Sequence, residues 1–212
     1  MSSLFDVIEG ENPTGPLADR LRPQALDEVV GQEHLLGETG SLARMMNSGQ
    51  YSSLIFWGPP GCGKTTLARL VAAKSGYEME TVSAVTSGVA DLKKVFEKAA
   101  ALKKDGRRTL LFVDEIHRFN RSQQDAFLPH VENGTVILLG ATTENPSFEL
   151  NAALLSRCRV LVLRRLDDAA LDKILQRAEA QEDTTLPLTD EARASLLAMA
   201  DGDGRYLLNM AE

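Results

Sequence analysis

The feature that most constrains this chain is the segment at residues 58–65, which has the sequence GPPGCGKT. It fits the pattern G-x-x-x-x-G-K-[ST], in which glycines let the backbone curl so that its N–H groups point at a bound phosphate. Residues 53–57 before it are apolar after Ser53 and predict a buried strand, and residues 66–72 after it predict a helix. A strand, a glycine-rich loop and a helix in this order predict a site for a nucleoside triphosphate.

Each part of this loop has an expected contact with ATP or Mg²⁺. Lys64 carries a point charge that reaches the outer phosphates, and the Thr65 hydroxyl is a predicted ligand of a Mg²⁺ ion that keeps several waters. Cys62 is expected to be a small filler within the loop. The predicted nucleotide-binding residues of the loop are Gly58, Pro59, Pro60, Gly61, Cys62, Gly63, Lys64, Thr65 and Thr66.

Composition narrows the classes of protein that this chain can represent. With 43% hydrophobic and 25% charged residues it has the balance of a soluble globular protein, and no apolar run approaches the roughly 20 residues of a membrane span. A cytoplasmic location is therefore expected. The net charge of −7 argues against a uniform coat of nucleic acid, so any DNA contact must be local. Neither Cys62 nor Cys158 has a Cys or His neighbour at a zinc-binding spacing.

A second site element is the apolar segment at residues 109–113, which predicts a strand and leads into Asp114 and Glu115. Ligands bind at the carboxyl ends of strands in open parallel sheets. Asp114 is predicted to orient Mg²⁺ through water, and Glu115 to polarise the water that attacks the terminal phosphate. The alternative is a charged strand end that meets solvent. It is disfavoured because the chain already carries a phosphate loop.

The remaining pattern places these elements in an α/β fold. Further strands are predicted at residues 80–84, 136–140 and 160–163. Helices are predicted at residues 35–46, from Asp91 and from Ser122, the last kinked at Pro129 and ended by Gly134. The expected architecture is a P-loop NTPase with a parallel five-stranded sheet flanked by helices.

After Arg164 only helices are predicted, at residues 168–180, 189–200 and 205–212. They indicate a small helical lid domain behind the sheet. The expected division is a flexible leader at residues 1–16, a nucleotide-binding domain at 17–164 and the lid at 165–212. Because the last helix reaches Glu212 without a cap, the natural protein is expected to continue.

Four stretches of the sequence resemble one family. They are GPPGCGKTT, FVDEIHRFNRSQQDAFLPHVENG, GATTENPSFELNAALLSRCRV and, less closely, DGDGRYLLN. With them the chain resembles an AAA+ ATPase of the clamp-loader-like group, and specifically the replication-associated recombination protein A family, which includes the eukaryotic Werner helicase-interacting protein. The resemblance extends from about Leu17 to Asn209.

The resemblance implies roles for residues outside the two motifs. Thr143 matches the first sensor, which holds the attacking water or the terminal phosphate. Arg157 matches the arginine finger that reaches the ATP of a neighbouring subunit, and Arg205 matches the second sensor. Gly204 departs from the family's usual Ala and is expected to loosen the helix start by up to about 1 kcal/mol. The segment matching the adenine lining comprises Arg22, Pro23, Val30, Gly31 and Gln32.

The resemblance also implies a function: a DNA-dependent ATPase that acts in replication-fork maintenance, recombination and repair and hydrolyses ATP with Mg²⁺ at subunit interfaces. The implied partners are single-stranded ends, gaps or forks of DNA, single-strand-binding protein and other replisome components. The implied assembly is a homo-oligomer, a tetramer held by a carboxyl-terminal domain, associated with the nucleoid in a bacterium. Arg118 and Arg121, with Arg107 and Arg108, are the candidate contacts with DNA phosphates; solvated surface charge is the alternative for each.

Other classes of ATPase stay open at this point. A clamp-loader-type or helicase-type subunit of DNA replication is the main alternative. Residues 114–117 spell D-E-x-H, as in helicases of another superfamily, although those need a second sheet domain. A protein-threading ATPase would need an aromatic loop, which residues 85–90 lack, and a non-catalytic scaffold conflicts with the complete motif set. His34, His117 and His130 are expected to have core or surface roles.

Overall fold

The computed structural model describes residues 15–212, so the predicted leader lies outside the described residues except for its last two. Internal contacts divide the chain into two compact units. The sheet unit is Gln32–Arg164, and the helical unit combines the described residues up to Gly31 with Arg165–Glu212. No helix in the described part of the chain is long and apolar enough to cross a bilayer.

The sheet unit is built on five parallel strands in the spatial order β2-β3-β4-β1-β5, which confirms the predicted fold class. The inner strands are continuous apolar runs because both faces of a parallel sheet are covered. In β3, for example, the first five residues are all buried. The strands are β1 Leu54–Trp57, β2 Glu78–Ser83, β3 Thr109–Asp114, β4 Val136–Thr142 and β5 Arg159–Val162.

The helices that flank the sheet range from single turns to sixteen residues. The longest is the helix predicted from Asp91, and Leu92, Phe96 and Ala99 are buried on one face of it. Its lysines lie in water, and Lys93 and Lys94 form loose ion pairs on the helix surface. The helices are α2 Glu33–Leu36, α3 Ser41–Ser48, α4 Lys64–Ser75, α5 Val89–Lys104, α6 Arg121–Asp125, α7 Leu128–Glu132, α8 Pro146–Glu149 and α9 Ala152–Leu155.

Two predicted helices are each divided in the structure. The helix expected over residues 35–46 becomes α2 and α3 because the chain turns between Gly37 and Gly40, whose N–H donates to the Gly37 carbonyl at 2.7 Å. The helix expected from Ser122 becomes α6 and α7. Pro129 lies in the first turn of α7, where its missing N–H costs no helical hydrogen bond.

The helical unit has its own apolar core, centred on Leu171, Leu175 and Leu207. A second cluster joins Leu17 and Leu21 to helices near the end of the chain. This packing groups the segment before Gln32 with the helical unit, whereas the predicted division placed it with the sheet. The helices of this unit are α1 Leu17–Arg20, α10 Asp168–Gln181, α11 Asp190–Ala200 and α12 Gly204–Ala211.

Candidate nucleotide-binding site

The phosphate loop connects the end of β1 to the start of α4, as the sequence predicts. Gly58 is required by space, since a Cβ there would lie 2.7 Å from the Leu163 carbonyl oxygen. Gly63 is required by conformation, since its φ of 101° is one that side chains disfavour. Both glycines therefore fix the path of the backbone between strand and helix.

The residues at the start of α4 suit a polyphosphate. Gly63 caps this twelve-residue helix without a side-chain hydrogen bond, so the first N–H groups and the positive end of the helix dipole face the loop. Lys64 is only 9% exposed, and its Nζ donates to the carbonyls of Gly58 and Pro59 at 2.8 Å each. Thr65 is half-buried on the next position of the helix and Thr66 is buried. This donor set fits ATP, and the Thr65 hydroxyl fits a Mg²⁺ shell.

Gln32 lies well before the phosphate loop in the sequence but contacts it in the structure. Its side chain is completely buried, and its Nε2 donates to the carbonyls of Cys62 at 3.2 Å and Arg164 at 2.8 Å. Its Oε1 accepts from the Arg164 N–H at 3.0 Å. The resemblance implied that Gln32 lines the adenine, but in this structure its polar atoms bond to backbone groups of the sheet unit.

The acid pair follows β3 at the same edge of the sheet. The strand order places β4 between β3 and β1, so the ends of β3 and β1 are about 10 Å apart at the usual strand spacing. Asp114 and Glu115 are both half-buried, and the Asp114 Oδ1 accepts from the Glu115 N–H at 3.2 Å. Glu115 has φ 52° and ψ 44°, a left-handed conformation unusual for a residue with a side chain.

A polar cluster behind Glu115 was missed by the sequence analysis, which expected only a core or surface role for His117. The His117 Nδ1 lies 3.3 Å from the Glu115 Oε2 and 2.9 Å from the Thr142 Oγ1. The Thr142 hydroxyl also has the Glu144 carbonyl within 3.2 Å, to which it donates. These distances suit a proton on Nδ1 that is shared between the carboxylate and the hydroxyl. The signal in the sequence was the position of His117 two residues after Glu115.

The residues implied by the resemblance occupy different places. Thr143 is half-buried immediately after β4, whereas Thr142 is the last strand residue and is fully buried. Arg157 is exposed after α9, where it forms an ion pair with Glu132 at 2.5 Å and donates to the Ala153 carbonyl at 2.7 Å.

The remaining predicted residues lie outside the loop and the acid pair. Arg118 and Arg121 are exposed beyond the acid pair. Arg107 pairs with Glu78, and Arg108 donates to the Tyr77 hydroxyl at 3.1 Å. The predicted site residues that belong to the helical unit are Arg22, Pro23, Val30, Gly31 and Arg205.

A parallel sheet with a phosphate loop after one strand and an acid pair after another defines a P-loop nucleotide-binding protein. The family model of the ATPase family associated with various cellular activities (AAA) matches residues 54–166, from β1 to just beyond β5. The chain therefore belongs to the AAA family of ATPases.

Curated relatives confirm the resemblance found in the sequence. Replication-associated recombination protein A of Coxiella burnetii is 53% identical over 93% of this chain, and that of Escherichia coli K12 is 48% identical over 95%. ATPase WRNIP1 of Dictyostelium discoideum is 46% identical over 93% of this chain and 23% of its own length. The chain spans about half the length of the two bacterial relatives, 46% of each.

Solved structures of a branch migration motor have the same fold. The Thermotoga maritima RuvB Holliday junction branch migration motor is 28% identical, with a TM-score of 0.71 over 90% of this chain and 64% of its own. A point mutant of the same motor superposes with a TM-score of 0.73. The described residues hold a single five-stranded sheet, as expected for one AAA module.

Proposed function

We propose that this chain binds and hydrolyses ATP as the motor module of a DNA-dependent ATPase that acts in replication-fork maintenance, recombination and repair. The observation that carries the proposal is the meeting of the phosphate loop and the acid pair at one edge of the sheet. A phosphate loop alone would support binding only. The adjacent carboxylates supply groups for hydrolysis.

Each residue has a distinct part in the proposed reaction. Lys64 and the backbone N–H groups of the loop hold the phosphates, and Thr65 and Asp114 hold Mg²⁺, which neutralises phosphate charge when bound. The Glu115 carboxylate accepts a hydrogen bond and then a proton from the attacking water. Thr143 orients that water or the terminal phosphate.

Completion of the site by a neighbouring subunit is part of the proposal. Arg157 is exposed, as a group that contacts a neighbour must be, and its own subunit holds it through Glu132. An arginine supplied in this way typically raises the rate on the order of a thousandfold or more. A monomeric form of this chain should therefore hydrolyse ATP weakly. Arg205 is proposed as the second sensor.

The DNA substrate is proposed from the relatives' names and from exposed charge. Arg118 and Arg121 follow the acid pair directly and are exposed, so phosphate contacts there could influence Glu115. The expected substrates are single-stranded ends, gaps or forks. A protein with such substrates would work in the cytoplasm, near the nucleoid in a bacterium, as a homo-oligomer with single-strand-binding protein among its partners.

The test of ATP hydrolysis compares Glu115→Gln with Glu97→Gln, which removes the same charge from the exposed surface of α5. E115Q should bind ATP like the wild type and turn over about a hundredfold or more slowly, because the amide cannot accept the proton. E97Q should match the wild type in both measurements. Turnover that survives in E115Q would remove Glu115 from the mechanism.

The test of DNA dependence measures ATPase rates with single-stranded, gapped and forked DNA. The native mass of the protein is determined in parallel. The double variant Arg118→Glu, Arg121→Glu should lose DNA stimulation and keep basal turnover. Its matched control is Lys93→Glu, Lys94→Glu, which reverses two exposed charges on α5. An unchanged DNA response in the arginine variant would rule out this surface.

A further inference from the structure

Two glutamines are almost wholly buried in the sheet unit, and they have the same bonding pattern. Gln32 is 0% exposed and Gln124 is 2% exposed. The Gln124 Nε2 donates to the carbonyls of Phe119 and Glu149 at 2.8 and 3.0 Å, and its Oε1 accepts from the Asn151 N–H at 2.8 Å. Each glutamine therefore ties backbone segments together, but only Gln32 bonds to the phosphate loop.

The orientation of the Gln32 amide is determined by its partners. Both protons on Nε2 are directed to carbonyl oxygens, of Cys62 and Arg164, and the oxygen faces the Arg164 N–H. A flipped amide would place an oxygen against two carbonyls. The side chain is thus fully satisfied in one arrangement only.

The hydrogen bond to the Cys62 carbonyl also fixes the direction of the next backbone N–H group. The Cys62 carbonyl and the Gly63 N–H belong to one planar trans peptide, so they point in opposite directions. Holding the carbonyl toward Gln32 therefore directs the Gly63 N–H away from it. Gly63 immediately precedes α4, and its φ of 101° is one that favours glycine.

We propose that Gln32 is a positioning residue of the phosphate loop, which aims the Gly63 N–H at a nucleotide phosphate without touching the nucleotide. The inference rests on the proposed nucleotide site.

The experiment measures ADP affinity by calorimetry for Gln32→Met and Gln32→Glu, with Gln124→Met and Gln124→Glu as matched controls. Q32M removes the bonds and retains a chain of similar length. It should weaken ADP binding about tenfold, which corresponds to about 1.4 kcal/mol. Q32E should be weaker still, because a carboxylate oxygen would face the Cys62 and Arg164 carbonyls. The Gln124 variants should bind within about twofold of the wild type.

Urea unfolding of the same variants separates positioning from stability. All four should lose stability, since each orphans buried backbone groups. Equal loss of ADP affinity in the Gln32 and Gln124 variants would overturn the proposal, as would wild-type affinity in Q32M. If Q32E does not fold, Q32M alone decides. A wild-type protein that fails to bind ADP would instead refute the proposed nucleotide site itself.

Discussion

The adjacent threonines at the end of β4 should respond differently to the same substitution. Thr142 is fully buried, with its Oγ1 2.9 Å from the His117 Nδ1 and accepting from the Glu144 N–H at 3.0 Å. Thr143 is half-buried beyond the strand. Changing either to Val retains the branched shape and removes the hydroxyl. Only Thr142→Val removes a hydrogen-bond partner of the largely buried His117 ring.

The size of the effect follows from which groups lose their partner. Glu144 is exposed, so water can replace the hydroxyl at its backbone. The His117 side chain is 8% exposed, and after the substitution its Nδ1 keeps only the Glu115 Oε2, at 3.3 Å. Loss of one such hydrogen bond costs about 0.5–1.5 kcal/mol. At about 2–4 °C per kcal/mol for a chain of this size, the melting temperature should fall by about 1–6 °C.

Trp57 provides the assay, because it is the chain's single tryptophan and pairs with Thr142 across the sheet. Urea unfolding followed by its fluorescence should show the loss in Thr142→Val and a change below about 0.5 kcal/mol in Thr143→Val. ATP turnover should fall about ten- to a hundredfold in Thr143→Val if its hydroxyl holds the water or phosphate. Equal destabilisation by the two variants, or full turnover in Thr143→Val, would refute this assignment.

Two further substitutions test the loop and a half-buried histidine. Gly58→Ala should lose about 1–3 kcal/mol of unfolding free energy, because its Cβ would lie 2.9 Å from the Leu163 Cβ. Urea titration should find a smaller loss, of about 1 kcal/mol or less, in Gly88→Ala, where nothing lies within 4 Å but the glycine caps α5. Burial lowers the pKa of His130, which stacks on Phe96 at 3.9 Å, so the stability that its neutral ring contributes is complete above its ordinary value of 6.5 and is lost as pH falls below it. His130→Phe should keep the stack, and its urea midpoint should fall less between pH 7.5 and 5.0; an equal fall would contradict the assignment.

The elements predictable from sequence are those whose signal is local. The phosphate loop is fixed by its own glycines, and residues 109–113 form a strand because an apolar run of that length must be buried. The buried face of Leu92, Phe96 and Ala99 follows from the helical spacing of apolar residues alone. Single-turn helices such as α8 and α9 carry too few residues for a period, and the prediction omitted them.

The parts of the site that escaped prediction depend on distant residues. Gln32 reaches partners 30 and 132 positions away, and nothing in a glutamine distinguishes a buried backbone bridge from a surface side chain. His117 meets Thr142 only because β3 and β4 are neighbours in the sheet. The roles of Arg157 and Arg205 stay predictions, since an arginine finger acts on the ATP of a second subunit and a second sensor acts on a bound nucleotide.

The left-handed backbone of Glu115 has a consequence for selection on stability. A residue with a Cβ in this conformation costs about 1–2 kcal/mol relative to one in an ordinary region, and glycine is nearly exempt. Libraries of this domain screened only for heat resistance should therefore enrich Gly or Asn at position 115 and discard the proposed base. Directed evolution of a hardier version would need a turnover filter in every round, since one of the left-handed non-glycine residues open to such a gain is the proposed base.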